Sequence, residues 1–353
     1  MKRKLTIIGV LGCRWMVRGV VALGMLLSAQ TSLFAQSLTW LGILPQGYWS
    51  KAWDVSANGK VVVGVASFLY WQHAFRWVNG VMYDLGTLGG DYSEAWGVSA
   101  DGKIVVGGAD KGPSGQVFFR AFRWENGVMQ DLGSFREDTQ SVAYGVSADG
   151  NVVVGKGGLP EDPFGQWHAF RWVNGVMYDL GTLGGRDSVA YGVSANGNVI
   201  VGASGSTVGY VHAFRWENGV MQDLDTIPGS SGSEAYGVSA DGKVVVGWVI
   251  PGSYRRAFRW ENGVMQDLGT LGGRMSEAYD VSADGKIVVG WAEGWRDYQL
   301  RKLAFRWRAA TGMEDLNITY ADLLRDGSVL EAAHAISPDG RFIVGYGINR
   351  ATL

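Results

Sequence analysis

The stretch HAFRWVNGVMYDLGTLGG, residues 73–90, returns letter for letter at 168–185. Its core, AFRW, begins at Ala74, Ala121, Ala169, Ala213, Ala257 and Ala304, at spacings of 47, 48, 44, 44 and 47 residues. A reaction has one centre, and each group acting there has one role, so six copies of a phrase point to architecture rather than catalysis. Self-similarity at this period is the signature of a repeat fold.

Two further phrases share the period. Ser-Ala-(Asp/Asn)-Gly followed by an aliphatic run recurs at Ser56, Ser99, Ser147, Ser194, Ser239 and Ser282, and as SPDG at Ser337. The DLGTLGG type begins at Asp84, Asp131, Asp179, Asp223, Asp267 and Asp315, with an outlying relative at Trp40. Each unit reads as four short strands. AYGVS is apolar and aromatic, Asp-Gly or Asn-Gly turns the chain, and KVVVG returns as an aliphatic run of the kind buried on both faces. After a loop of variable length come AFRW, an Asn-Gly hairpin turn and VMYDL or VMQDL. A two-residue turn at Asn79-Gly80 predicts that Val78 faces Val81, Trp77 faces Met82, Arg76 faces Tyr83 and Phe75 faces Asp84. Only YADLLRDG, from Tyr320, hints at a helix.

Four strands in about 45 residues is the pattern of a β-propeller blade, whereas β-solenoid coils repeat at shorter intervals. The expected fold is an all-β propeller, most simply of seven four-stranded blades. AYGVS would be innermost, then KVVVG, AFRW and, outermost, VMxDL. The C-terminal unit has AHAISPDG and RFIVGYG, and then NRATL, in which Arg350-Ala351 align with Arg256-Ala257. SLTWLGIL near the N-terminus is an outermost strand without a blade. Joined, the two ends would make a composite last blade and leave no open sheet edge.

Residues 1–35 carry Lys2, Arg3, Lys4, Arg14 and Arg18, no acid, and then the apolar run GVVALGMLLSA before SLFA. This order of basic, apolar and small residues predicts a secretory signal peptide cut near Ala35, with residues 36–353 as one propeller domain. A retained signal anchor is the alternative, and VLGC at Val10–Cys13 resembles a lipoprotein box only faintly. Of the 31 basic residues five lie in the leader, so the remaining 318 residues carry a charge of about −7. Nucleic acid and anionic membranes are therefore not expected partners. Cys13 is the only cysteine, which excludes disulfides from the mature part. No apolar run there is long enough to span a membrane, and a monomer is expected.

The strings HAFRW, DLGTLGG and GVSADGKIVVG resemble the HAF repeat family, bacterial proteins described as probable extracellular repeats, some of them autotransporter passengers. The resemblance covers nearly all of the expected mature chain and implies export. It brings no settled activity, and no outer-membrane barrel sequence follows within the 353 residues.

Among the repeated polar residues, Asp101, Asp149, Asp241, Asp284 and Asp339 precede glycine in tight turns, where Asp hydrogen-bonds locally. The arginines of AFRW, from Arg76 to Arg306, are expected to pair with Asp84 and its equivalents. His73, His168 and His212 share one repeat position, and equivalent positions on separate blades do not make a metal site. No metal, cofactor or catalytic triad is expected. The loops between second and third strands vary most, and they carry Tyr70, Trp71, Phe164, Trp167, Tyr210, Tyr254, Trp295 and Tyr298, joined by Trp49 from the first crossover. Aromatic rings on variable loops suit stacking on sugars or contact with a protein. Three functions compete. The foremost is a non-catalytic exported module binding a glycan or protein through this loop face. A structural passenger or spacer comes next, then a glycan-cleaving propeller enzyme, for which only scattered loop acids such as Asp110, Glu161, Asp162, Glu293 and Asp297 are visible.

Overall fold

The computed structural model describes residues 4–12, 35–113, 117–159, 165–224 and 227–351. The chain is an all-β propeller. Six four-stranded sheets each come from one contiguous repeat, the first from Ser50–Val55, Val61–Phe68, Trp71–Val78 and Val81–Asp84. Strand order within each blade is that expected from the repeat, with antiparallel neighbours throughout. Register in the first outer hairpin is Phe75 to Asp84, Arg76 to Tyr83, Trp77 to Met82 and Val78 to Val81, as a two-residue turn dictates. Asn79 and Gly80 have φ of 52° and 88°, the left-handed pair that such a turn needs.

The AFRW phenylalanines, Phe75, Phe122, Phe170, Phe214, Phe258 and Phe305, are fully buried. Each sits opposite the glycine that ends the VVVG-type run, as Gly64 faces Phe75. A Cβ at Gly64 would lie 2.0 Å from the Lys51 carbonyl oxygen and 2.9 Å from the Phe75 ring, so the ring occupies the space a larger residue would take. The hydrophobic clusters straddle neighbouring blades: Val61 and Val63 of the first pack with Ala95, Val105 and Phe122 of the second. Blade cohesion is thus a chain of small cores rather than one large core.

The repeated polar residues serve the same packing, with one correction. Asp84, Asp179 and Asp223 bind not the AFRW arginines but His73, His168 and His212, at 2.8, 2.8 and 2.7 Å. Strand alternation explains this, because Asp84 lies opposite Phe75 on the face that His73 shares, and Arg76 points to the other face. Arg76 instead donates to the Gly102 carbonyl in the next blade's turn, and Arg215 and Arg259 reach Gly242 and Gly285 likewise. In the turns, Asp101 accepts from Ser99 Oγ and the Lys103 amide, as the local reading requires. Near Tyr320 the stretched repeat holds a short helix, Leu316–Thr319, and a 3₁₀ turn, Ala321–Leu323.

The two chain ends meet in a further four-stranded sheet between the first and sixth blades, inner to outer Val329–Ile336, Phe342–Ile348, Lys4–Gly12 and Ala35–Trp40. Six repeats therefore form blades of their own, and closure depends on this composite. The outermost strand is the expected one, but the third is not begun by Arg350-Ala351. In the six blades the residue equivalent to Arg350 follows its glycine by 9 to 13 residues, whereas Arg350 follows Gly345 by five. The loop is too short, and Lys4–Gly12, assigned by sequence to the leader, takes the position.

Candidate functional site

The inner strands surround a central channel, and each carries a β-bulge at the same point. Pairing with the second strand skips Trp53, Trp96, Tyr144, Tyr191, Tyr236, Tyr279 and His334 in turn. A bulge leaves its extra residue outside the ladder and re-aims its side chain. The result is a closed circle of aromatic rings. Successive centroid distances are 5.2, 5.7, 5.3, 5.0, 5.7 and 4.2 Å from Trp53 round to His334, and His334 meets Trp53 at 4.3 Å. The residue after the ring is glycine in the second to fifth blades, because inner strands crowd there: a Cβ at Gly192 would lie 2.5 Å from the Tyr236 carbonyl oxygen.

On the loop face of this circle, polar side chains line the channel mouth. Glu94, Glu234 and Glu277 stand two residues before the aromatic position. The Tyr236 hydroxyl donates to Glu234 at 2.9 Å and accepts from Trp248 Nε1 at 2.9 Å. Glu277 accepts from Arg255 at 2.9 Å and from Trp291 Nε1 at 3.2 Å. Burial raises the Glu94 carboxyl to about 7, with Lys51 working against it, and burial also raises Glu234. Burial lowers His334 to about 3, helped by Lys51 and Lys302. Sequence reading missed these three acids because SEAYGV looks like one more strand of the repeat. The usable signal was that the position alternates between Lys51, Glu94, Val142, Val189, Glu234 and Glu277 while its neighbours do not vary.

Two clefts open beside the mouth. The larger, of about 470 Å³, lies across the third, fourth and fifth blades and is lined by Trp167, Tyr210, Lys156, Asp187, Tyr191 and Glu234, among others. The Trp167 amide donates to Asp187 at 2.9 Å, stapling the third blade's loop to the fourth blade, and Lys156 Nζ stands 4.7 Å from the Trp167 ring centroid. Burial lowers the Lys156 ammonium pKa, with Asp187 opposing. The smaller cleft, of about 310 Å³, is lined by Trp49, Lys51, Trp53 and Glu94.

The structure therefore divides the aromatic residues singled out by sequence. It sets Trp167 and Tyr210 in one cleft and Trp49 in the second. Trp71 packs edge-on against Tyr92 at 5.2 Å, and Tyr254 is engaged by Arg274, whose guanidinium donates to its hydroxyl at 2.8 Å. Tyr70 and Tyr298 are 92% and 99% exposed at hairpin tips, and Trp295 is 66% exposed. None of those three residues lines either cleft. Phe164, Glu161 and Asp162 lie outside the described residues. Of the remaining loop acids, Asp110 is buried and accepts the Gly112 and Phe118 amides, Glu293 accepts from Arg274 and Met275, and Asp297 has φ 51° in a hairpin turn.

Beyond the aromatic circle, toward the Asp-Gly turns, Asp54 and Asp280 occupy the position held by glycine in the second to fifth blades. Each carboxylate accepts its own following amide and one from the neighbouring inner strand, Asp54 from Val98 and Asp280 from Ile336, both at 2.8 Å. Burial raises both to about 7, and for Asp54 the charge of Asp280 adds to it.

No protein-family model matches the sequence, and no curated protein matches it. Among solved structures the chain is similar to the oligogalacturonate lyase of Vibrio parahaemolyticus, with a TM-score of 0.56 and 9% identity over 90% of this chain and 94% of that one. The β-propeller domain of the Trilobed protease from Pyrococcus furiosus gives 0.53 and 12% over 80% and 86%. A TolB candidate from Agrobacterium tumefaciens gives 0.50 and 12% over 99% of both chains. At such identities the likeness establishes the propeller fold and carries no activity.

Proposed function

We propose that this protein is an exported, non-catalytic binding propeller of the HAF repeat type, and that its loop-face cleft takes a glycan segment. The observation that carries this reading is that Trp167, Tyr210 and Tyr191 line one cleft together with Lys156, Asp187 and Glu234. Aromatic rings supply a face for the apolar side of a sugar, and convergent polar groups supply hydrogen bonds to its hydroxyls. Export rests on the leader and on the resemblance, and no helix among the described residues is long and apolar enough to cross a membrane. The test is a glycan array probed with the purified chain, followed by the Trp167→Ala/Tyr210→Ala variant. Affinity for the best glycan should fall at least about tenfold, since one such ring contributes about 1–3 kcal/mol, while the melting temperature holds. Unchanged affinity refutes the site.

A second reading, glycan cleavage, is favoured by one observation: Glu234 lines the same cleft and burial raises its carboxyl, as a general acid requires. Release of reducing ends from the bound glycan, abolished by Glu234→Gln, would put this reading first.

A further inference from the structure

The closing sheet is the one place where the ring is not made by its own repeat, and its third strand raises a conflict. Lys4–Gly12 pairs on one side with Phe342–Ile348, Lys4 opposite Ile348 and Val10 opposite Phe342, and on the other with Ala35–Trp40, Ile7 opposite Trp40 and Gly12 opposite Ala35. Among the described residues, the outermost strand has no other ladder to the ring. The sequence assigns these same third-strand residues to a secretory leader, whose removal near Ala35 would strip the sheet of its third strand. Two facing rows of backbone donors and acceptors would then be unpaired, an arrangement that recruits another strand.

What this slot accepts is written in the other six blades. Each presents a glycine on the second strand to a phenylalanine on the third, at Gly64–Phe75, Gly107–Phe122, Gly155–Phe170, Gly202–Phe214, Gly247–Phe258 and Gly290–Phe305. The closing sheet keeps the glycine, Gly345, and its crowding: a Cβ there would lie 2.0 Å from the Ala332 carbonyl oxygen, as at Gly64 with Lys51. It has no phenylalanine of its own in register, since Gly345 faces Ile7. Arg350 follows Gly345 by five residues, where its counterpart Arg256 follows Gly247 by nine.

We infer that the third-strand position of the closing sheet is a strand-acceptor site, filled by Lys4–Gly12 in the uncleaved chain and, after leader removal, by an extended segment of a partner protein bearing an aromatic residue opposite Gly345. The partner strand runs antiparallel to both Phe342–Ile348 and Ala35–Trp40, and main-chain hydrogen bonds on both its edges supply affinity while the aromatic residue sets register. The site lies on the flank of the ring, away from the loop-face cleft, so the chain can hold a glycan and a partner together. This inference rests on the export part of the proposed function and not on the glycan part.

The test uses the full chain with a protease site inserted between residues 20 and 30. The purified chain is cut there and incubated with a fluorescent peptide of the sequence HAFRWVNG, that of residues 73–80, or with the same peptide carrying Asp in place of Phe. The phenylalanine peptide should displace the N-terminal fragment, bind one to one and do so at least tenfold more tightly than the aspartate peptide. No uptake, or equal uptake of both peptides, overturns the acceptor site. N-terminal sequencing of the exported protein is read separately: Met1 retained would remove the leader reading while leaving the peptide result standing.

Discussion

Replacing Asp54 and Asp280 together with glycine, the residue that the second to fifth blades carry at this position, should change how stability depends on pH. Both carboxyls are displaced from 3.8 to about 7, by burial first and, for Asp54, by the nearby Asp280 charge. A carboxyl with a folded pKa above its unfolded one holds its proton more tightly when folded. Its contribution is therefore complete below about pH 4 and is lost as pH rises toward 7. A displacement of about 3 pH units corresponds to about 4 kcal/mol per carboxyl at about 1.4 kcal/mol per unit. At about 2 °C per kcal/mol for a chain of this size, that is about 8 °C of melting temperature per carboxyl between pH 4 and pH 7. The substitution also removes the acceptors of the Val98 and Ile336 amides, at about 1 kcal/mol each. That loss is independent of pH. Relative to the parent, the double variant should thus be less stable at pH 4 and gain steadily toward pH 7. Scanning calorimetry of both proteins from pH 4 to pH 8 is the assay. Glu94, raised to about 7, and His334, lowered to about 3, act in both proteins, and their effects cancel in the difference. A constant difference across pH 4–7 would refute the buried-carboxyl argument.

Phe170→Ala should cost about 3–5 kcal/mol, since the ring is fully buried opposite Gly155, and chemical denaturation would register it. Deleting residues 36–46 should lower the melting temperature markedly, because Leu41 and Leu44 belong to the core beneath the first blade; an unchanged value would show that the ends do not close the ring. Trp295→Ala with Tyr298→Ala should alter neither melting nor glycan binding, since both side chains face solvent at a hairpin tip. A loss of binding there would move the site to the rim.

Strand order, hairpin register and the outer strand of the closing sheet were legible in the chain itself. They follow from local rules: Asn79-Gly80 fixes its turn, alternation fixes which side of the hairpin Phe75 and Trp77 share, and a period of about 45 residues fixes the blade. Alternation, applied fully, would also have separated Asp84 from Arg76 and joined it to His73. What one repeat cannot reveal is what seven inner strands do when their axes converge. Trp53 and His334 are 281 residues apart, and they meet edge-on only because the ring closes. The mouth formed by Glu94, Glu234 and Glu277, the effect of the Asp280 charge on Asp54 and the choice of Trp167 and Tyr210 from nine loop aromatics arise in the same way. Each depends on distances between blades, set by the packing of glycines such as Gly192 against the neighbouring backbone. The third strand of the closing sheet is the extreme case. Its place is fixed by the vacancy that six complete repeats leave, and no residue within Lys4–Gly12 announces it.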